Sequence, residues 1–291
     1  MKKETIGYIG PGIMGRPMIE NLHNADYPLV VYARREEVRA ALEADGFSTV
    51  STPAAVAEKT RVIFSCVGDS SDVESILLGK NGVVKTAAPD SIVIDMSTIS
   101  PQATREIARK LTAKNIHMLD APVSGGEQGA IDGSLSIMIG GKKEIVEKIQ
   151  PLFEILGKNI IHVGDHGAGQ IAKACNQVLV AQTITAVAEA LALAEAAGAD
   201  PGKVRQALLG GFAYSKILEV HGQRMLDKQY QPGFKTSLHA KDMRIVMETA
   251  ESLKLDLQGA RLATEHLEQL IQQGDGELDS SSIRKCITSS P

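Results

Sequence analysis

Short apolar runs alternate with helical patterns along the first half of the chain. The apolar runs are TIGYIG at residues 5–10, PLVVY from Pro28, RVIFSCV from Arg61, SIVIDMS from Ser91, IHMLDAPV from Ile116, SLSIMIGG from Ser134 and NIIHVG from Asn159. The stretches between them, such as residues 101–114 and 142–156, are charged or amphipathic in a helical pattern. This alternation predicts a mostly parallel sheet covered by helices.

A long helix is predicted next, because no proline or glycine occurs from Ile171 to Ala197 and alanine, leucine and glutamate dominate its second half. At about 40 Å it is longer than one small lobe needs, so we expect it to link two lobes. After Gly198 only helical patterns follow. The predicted fold is α/β: a Rossmann-type, mostly parallel sheet domain over residues 1–164, then the linking helix and an all-helical C-terminal domain over residues 165–291.

The bulk composition excludes several classes of protein. The chain is 43% hydrophobic and 23% charged with a net charge of -4, and it has no cluster of lysines or arginines, which argues against a nucleic-acid partner. No apolar run reaches about 18 residues without a break, and the N-terminus enters a strand pattern too early for a signal sequence. We therefore expect a cytoplasmic protein with no membrane partner.

Cysteine and histidine spacing gives no support for a metal site. Cys66, Cys175 and Cys286 show no CxxC spacing, and an odd number fits a reducing compartment. Cys175 is expected to be a small buried residue of the long helix. His162 and His166 are separated by a glycine and an aspartate, which break any helix that could aim both at one ion. The sequence predicts no metal.

A glycine-rich turn follows the first predicted strand. Gly10-Pro-Gly12-Ile-Met-Gly15 is a GxGxxG motif placed between a strand and a helix. Such glycines permit a tight turn and let the backbone approach a pyrophosphate, which the amides at the helix start bind. Glycine turns are common, but in this strand-turn-helix context the motif predicts a dinucleotide site.

The end of the second strand bears on the choice of cofactor. An NAD site usually offers a carboxylate there to the adenosine ribose, whereas this chain has Tyr32 and Ala33 followed by Arg34 and Arg35. Either arginine could bind a 2′-phosphate, which favours NADPH with NADH as the alternative. The other interpretation is that both arginines are surface charges beside the next helix.

Two later strands end in polar loops, at Ser97-Thr98 and at Ser124-Gly125-Gly126. The carboxyl ends of strands face the ligand crevice of an open α/β sheet. A Ser-Gly-Gly turn can offer consecutive backbone amides to a small carboxylate, although serine and glycine also favour plain turns.

The long helix carries few polar residues near its start, and three of them share one face. Lys173, Asn176 and Gln177 are spaced i, i+3 and i+4. This face is the candidate for the chemistry. The alternative is a lysine on a solvated helix end beside a buried amide.

Taken in order, these segments resemble those of the β-hydroxyacid dehydrogenases over essentially the whole chain. The segments are GYIGPGIMGRPMIENL, VIDMSTISP, DAPVSGGEQGAIDGSLSIMIGG, GAGQIAKACNQ and PGFKTSLHAKDM. Five segments in the right order are far more specific than any one of them.

The resemblance implies a role for each matching residue. It implies a catalytic lysine at Lys173; a substrate site at Ser124, Gly125, Gly126, Asn176, Thr98 and Phe234; and a cofactor site at Gly10, Gly12, Ile13, Met14, Gly15, Arg34, Thr98, Lys241 and Asp242. Relatives that prefer NADH usually have an aspartate where this chain has Ala33, so the resemblance does not transfer an NADH preference.

The implied reaction is the NADPH-dependent reduction of a small aldehyde acid to a hydroxy acid, with 2-hydroxy-3-oxopropionate as the first candidate substrate. The alternatives are 3-hydroxyisobutyrate oxidation and reduction of glyoxylate or succinic semialdehyde. An imine reductase, a 6-phosphogluconate dehydrogenase or a non-catalytic dinucleotide-binding module are further alternatives. Because the helical lobe is small, we expect a homodimer or homotetramer.

Overall fold

The computed structural model describes residues 3–288 and divides the chain into two compact units. The first unit extends to Lys173, and the second begins at Ala174. The sequence predicts a domain boundary at residue 164, and that boundary stays a prediction. The division between the compact units lies inside a helix.

Within residues 3–173 the first unit contains nine strands. In chain order they are β1 (Ile6–Ile9), β2 (Leu29–Tyr32), β3 (Ser48–Val50), β4 (Val62–Ser65), β5 (Ile92–Asp95), β6 (His117–Asp120), β7 (Val123–Ser124), β8 (Leu135–Gly140) and β9 (Gly157–Gly164). They form one sheet in the order β3-β2-β1-β4-β5-β6-β8-β7, with β9 paired to β8. All pairs are parallel except those of β8 with β6 and β7. The predicted mostly parallel sheet is confirmed.

Helices connect these strands. They are α1 (Gly15–Asn24), α2 (Glu36–Ala44), α3 (Pro53–Lys59), α4 (Ser70–Leu78), α5 (Pro101–Thr112), α6 (Gly126–Ile131) and α7 (Lys143–Leu156), with a 3-10 turn at Val83–Lys85. Successive strand residues point to opposite faces, so Ile6 and Tyr8 belong to one core cluster and Ile9 to another. Met18 of α1 lies in the first cluster and Ile107 of α5 in the second. The sheet is therefore covered on both faces.

The long helix is α8 (Ala168–Ala196), whose 29 residues correspond to about 43 Å. By length and mean hydropathy alone it could cross a membrane, although no unbroken apolar run within it reaches about 18 residues. Its scattered polar residues interrupt the apolar run, but the mean hydropathy of the most apolar window is still 1.5. Of its most apolar window 44% is buried inside the protein, and Ile184 and Leu191 belong to the core of the second unit. A core position accounts for this composition.

The second unit is helical. After the C-terminal part of α8 it contains α9 (Pro201–Leu209), α10 (Lys216–Asp227), α11 (Thr236–Ser252), α12 (Gln258–Gln272), a 3-10 turn at Ser280–Ile283 and α13 (Arg284–Thr288). Between residues 174 and 288 the only ladder pairing is a single antiparallel bridge of Lys235 with Asp279. The predicted all-helical lobe is confirmed. Cys175, expected to be buried, is exposed on α8.

Candidate functional site

The glycine turn joins β1 to α1 in a tight conformation. Gly10 has φ +97°, and a Cβ added there would lie 2.3 Å from the carbonyl oxygen of Cys66. A Cβ on Gly15 would lie 2.1 Å from the carbonyl oxygen of Gly10. At Gly12, in contrast, an added Cβ would meet no atom within 4 Å. The turn is therefore closed against the sheet at its two ends and open to a ligand at its middle.

The start of α1 suits a bound pyrophosphate. Among the described residues no side chain caps this helix, and its first turn holds no acidic residue. The backbone amides there carry the positive end of the helix dipole, which attracts negative charge. Ile13 is exposed beside them, while Met14 packs on the core beneath. The residues present thus fit the phosphates of a dinucleotide.

Arg34 follows β2 at the same edge of the sheet, because β1 and β2 are parallel. Its guanidinium is exposed and forms an ion pair with the carboxylate of Asp72 in α4. The backbone around it is fixed by Arg39, whose Nη1 donates to the carbonyl oxygens of Ala33 (2.7 Å) and Arg34 (3.1 Å). An exposed ion pair contributes little free energy, so a phosphate can compete for this guanidinium.

Asp95 ends β5 and organises the loop that carries Thr98. Its Oδ1 accepts hydrogen bonds from the hydroxyls of Ser65 (2.9 Å) and Ser97 (2.7 Å). The Ser97 hydroxyl in turn accepts from the amide of Val67 at 2.9 Å. Burial raises the pKa of Asp95 to about 6, although the bonds from Ser97 and Ser65 oppose the shift. Thr98 itself is half-buried at the tip of this loop.

Asp120 ends β6 and caps the start of α8. Its two carboxylate oxygens accept from the amides of Gly167 (2.8 Å) and Gln170 (3.1 Å). Burial raises the pKa of Asp120, and these two backbone donors oppose the rise. The first turn of α8 packs closely against the sheet, because a Cβ on Gly169 would lie only 2.4 Å from the carbonyl oxygen of Met138 in β8. The first turn of α8 is thereby fastened to the sheet.

The Ser-Gly-Gly loop lies after β6 as expected, but its secondary structure differs from a plain turn. Ser124 ends the two-residue strand β7 and pairs with Ser136 of β8. Gly125 and Gly126 have φ of +143° and +65°, and α6 begins at Gly126. Both glycines are exposed, so their backbone can approach a ligand. Their binding of a substrate carboxylate stays a prediction.

Lys173 lies near the start of α8 with only 8% of its surface exposed. The alternative of a lysine on a solvated helix end is therefore wrong. Gln170, one turn earlier, is buried, and its side-chain amide contacts the loop of Thr98: Oε1 accepts from the amide of Ile99 (3.1 Å) and Nε2 donates to the carbonyl oxygen of Ser97 (2.8 Å). The lysine and the Thr98 loop thus belong to one connected assembly in the first unit.

The remaining residues of the predicted site lie in the second unit. Asn176 donates to the Oε1 of Gln177 at 2.8 Å, and the Nε2 of Gln177 donates to the Oδ2 of Asp242 at 2.7 Å. The other oxygen of Asp242 pairs with the ammonium of Lys241 at 2.8 Å. These four side chains form one chain of polar contacts between α8 and α11.

Phe234 precedes α11 in a loop organised by Asp279. The buried Oδ2 of Asp279 accepts from the amides of Gly233 (2.9 Å) and Phe234 (3.1 Å) and from the guanidinium of Arg224 (2.6 Å). The Phe234 ring lies 5.4 Å from the ring of His239, centroid to centroid. Although burial raises the pKa of Asp279, hydrogen bonds led by that of Ser281 lower it overall.

The sequence pattern does not indicate the roles of Gln170 and Asp120 in the first unit or of Asp279 in the second. Gln170 has a recognisable signal, since it is a polar residue near the start of an apolar helix, three positions before the lysine. Asp279 has none, because its partners lie far away in the sequence.

The predicted histidine pair contacts the backbone. His162 Nε2 lies 2.8 Å from the carbonyl oxygen of Gly141, and His166 Nε2 lies 3.0 Å from that of Met118. Within residues 3–288 no group of three or more His, Cys, Asp or Glu side chains could hold a metal ion.

Two protein-family models together match nearly the whole chain. The model for the NAD binding domain of 6-phosphogluconate dehydrogenase matches residues 5–164. The model described as NAD-binding of NADP-dependent 3-hydroxyisobutyrate dehydrogenase matches residues 167–287.

Individual proteins agree with the family models. The 2-hydroxy-3-oxopropionate reductase of Escherichia coli K12 is 45% identical over 278 residues, which cover 96% of this chain and 95% of that protein. The structure of Mycobacterium tuberculosis 3-hydroxyisobutyrate dehydrogenase with L-serine matches with a TM-score of 0.91 at 26% identity, covering 99% of this chain and 100% of the other. That of Salmonella typhimurium 3-hydroxyisobutyrate dehydrogenase matches with a TM-score of 0.86 at 29% identity, covering 98% and 100%. The chain therefore belongs to the β-hydroxyacid dehydrogenases and is an NAD(P)-dependent oxidoreductase.

Proposed function

We propose that this enzyme reduces a small aldehyde acid with NADPH, and that the substrate is 2-hydroxy-3-oxopropionate, which becomes glycerate. The observation that carries the proposal is the buried Lys173, connected through Gln170 to the Thr98 loop at the cofactor edge of the sheet. The choice of substrate is supported by the similar E. coli enzyme, which is named for this reaction.

Lys173 performs the proton transfer in this proposal. Bound NADPH supplies the hydride that reaches the carbonyl carbon. The Lys173 ammonium polarises the carbonyl and donates a proton to its oxygen as negative charge develops there. In the oxidative direction the neutral amine accepts that proton. Arginine cannot replace it, because its guanidinium keeps its proton at any working pH.

Binding of the substrate carboxylate is assigned to Ser124, Gly125 and Gly126. The exposed, positive-φ backbone of the two glycines supports this, because such amides can converge on an anion. Thr98 is assigned to the side of the nicotinamide and substrate. Backbone amides recognise the negative charge of the substrate carboxylate rather than the length of the carbon chain attached to it. Several short acids can therefore be accommodated.

The assignments in the second unit rest on the family resemblance. Asn176 and Phe234 are proposed to bind substrate, and Lys241 and Asp242 to bind cofactor. The hydrogen bond from Gln177 to Asp242 and the ion pair with Lys241 support a preorganised polar group. A homodimer or homotetramer and a cytoplasmic location stay predictions.

A panel of candidate substrates tests the function directly. NADPH and NADH oxidation would be followed with 2-hydroxy-3-oxopropionate, methylmalonate semialdehyde, succinic semialdehyde and glyoxylate. The proposal predicts the highest kcat/KM for 2-hydroxy-3-oxopropionate with NADPH. A higher value for another acid would reassign the substrate, and no turnover of either cofactor with any acid would leave a non-catalytic dinucleotide-binding protein.

A second candidate is the oxidation of a 3-hydroxy acid. It is favoured by the M. tuberculosis dehydrogenase structure, which is described with L-serine. The same panel, run in reverse with 3-hydroxyisobutyrate, L-serine and glycerate and both oxidised cofactors, discriminates between the two candidates. Faster oxidation of 3-hydroxyisobutyrate or L-serine than of glycerate would favour this second candidate.

A further inference from the structure

We propose that Gln170 is a positioning residue, whose side-chain amide holds the 97–99 loop on the first turn of α8 and so sets Thr98 relative to Lys173. This inference rests on the proposed function, which assigns the proton transfer to Lys173 and places Thr98 beside the nicotinamide and substrate. Gln170 itself is not assigned any contact with substrate or cofactor.

The amide of Gln170 binds the backbone on both sides of Thr98. Its Oε1 accepts from the amide of Ile99 at 3.1 Å, and its Nε2 donates to the carbonyl oxygen of Ser97 at 2.8 Å. The side chain is 1% exposed, so both bonds are shielded from water. A carboxamide presents one acceptor and one donor side by side, as a neighbouring peptide group would. Gln170 therefore fixes the backbone on both sides of Thr98, and neither of its two bonds uses the Thr98 side chain.

The backbone of Gln170 is held as firmly as its side chain. Its amide donates to Oδ2 of Asp120 at 3.1 Å, and the amide of Gly167 donates to Oδ1 at 2.8 Å. A Cβ on Gly169 would lie 2.8 Å from the Asp120 carbonyl oxygen and 2.4 Å from that of Met138. The start of α8 thus has no space in which to shift. Because the Gln170 side chain is bonded to the loop, the loop is held at a fixed position relative to this helix.

The loop is also held from the sheet side. The Ser97 hydroxyl donates to Asp95 at 2.7 Å and accepts from the amide of Val67 at 2.9 Å, while the amide of Ser100 donates to the hydroxyl of Ser70 at 3.2 Å. These bonds anchor the loop to β5, to the segment that follows β4 and to the start of α4. The two side-chain bonds of Gln170 connect the loop to the helix that carries the lysine.

Lys173 follows Gln170 by three residues, so both side chains lie on one face of α8. The reaction needs the proton donor and the residue beside the nicotinamide to be held at a fixed separation. A misplacement of about 1 Å can cost about 100-fold in rate. Loss of the Gln170 amide is therefore expected to lower kcat more than it weakens cofactor binding.

The test compares Gln170→Met with the wild-type enzyme. Methionine has nearly the same length but makes neither hydrogen bond. We expect kcat to fall by about 10- to 100-fold, with the Kd for NADPH changed by less than about 3-fold. The kinetic isotope effect with NADPH deuterated at the transferred position should rise, because hydride transfer then limits turnover. Gln170→Glu, which turns the donor to Ser97 into a second acceptor, should lose at least as much kcat.

Thr60→Val provides the control for lost stability. The Thr60 hydroxyl donates to the carbonyl oxygen of Val56 at 2.9 Å inside the same unit. Its removal should lower the Tm without changing kcat or the isotope effect. All rates are expressed per NADPH-binding site titrated by calorimetry, so that unfolded protein does not count.

Each outcome decides the role of Gln170. A Gln170→Met enzyme whose kcat per NADPH site stays within about 3-fold of wild type would overturn the positioning role. If Gln170→Met, Gln170→Glu and the shorter amide Gln170→Asn all yield no NADPH-binding sites, Gln170 serves folding only and the inference is also overturned. Lys173→Ala separates the two proposals, because normal turnover in that variant would reject the proposed function whatever Gln170 does.

Discussion

The exposed Arg34, which follows β2, is the residue proposed to set the choice of cofactor. The guanidinium is ion-paired with Asp72, and the preceding residue is the small, buried Ala33 in place of a carboxylate. A bound 2′-phosphate would compete with Asp72 for this cation. The pair keeps the guanidinium near the sheet edge at little free-energy cost, since exposed ion pairs are weak.

Arg34→Ala is predicted to lower the ratio of kcat/KM with NADPH to kcat/KM with NADH by about 10- to 100-fold, as expected for a hydrogen bond to a charged group. Without its partner, Asp72 would also repel the phosphate. Steady-state kinetics with both cofactors measure the ratio. Arg35→Ala is the matched control, because Arg35 is equally exposed and lies 3.6 Å from Glu37. An unchanged ratio in Arg34→Ala would remove its phosphate role.

Some site residues could be predicted from the sequence and others could not. Lys173 stands out as a charge in an apolar helix that follows a glycine-rich opening. The role of Gln170 depends on a loop 73 residues earlier in the chain, and no local pattern records that pairing. The apolar composition of its helix predicts that Cys175 is buried, but its position on the helix is exposed.

At the scale of elements, the ends of β5 and β6 bring two buried carboxyl groups together. Asp95 and Asp120 are direct partners in the register of the two strands. Burial raises the pKa of both, and in Asp95 it reaches about 6. Among the described residues the Oδ2 of Asp95 has no hydrogen-bond partner, which leaves part of the burial cost uncompensated.

Asp95 is predicted to make the protein less stable as the pH rises from about 4 to about 6. Its pKa is higher in the folded than in the unfolded chain, so in this range the folded protein binds the additional proton. The contribution is on the order of 3 kcal/mol and is complete above about pH 6. Asp95→Asn should therefore remove this loss, so that the unfolding free energy at about pH 7.5 rises, compared with wild type, relative to that at about pH 4.5.

Urea denaturation at both pH values measures that difference. Asp26→Asn, at an exposed turn of the same unit, is the matched control. An unchanged difference in Asp95→Asn would contradict the assignment.

The long, strongly patterned elements were predictable, and the short ones were not. Apolar runs located β1, β2, β4, β5, β6, β8 and most of β9. Strands β3 and β7 have three and two residues, too few for any period to be seen. Their pairing comes from neighbours in the sheet rather than from their own residues.

At the scale of the whole molecule, the order of the motifs identified the family, and the matches over residues 5–164 and 167–287 confirm it. The aldehyde acid could not be fixed in the same way. If the loop from Ser124 to Gly126 binds the substrate carboxylate as predicted, its backbone amides would accept many short acids. Substrate choice depends on the pocket shape that many separate residues make together, and no single motif encodes it.

Lys173 is proposed to supply and accept the proton of the reaction. This role is tested by measuring kcat for 2-hydroxy-3-oxopropionate reduction and the Kd for NADPH in Lys173→Ala and Lys173→Arg. We expect kcat to fall by about 1,000-fold or more in both variants, with the Kd for NADPH changed by less than about 3-fold. Arginine keeps the charge but cannot release the proton. A Lys173→Ala enzyme that binds NADPH and retains kcat within about tenfold of wild type would rule out this role for Lys173.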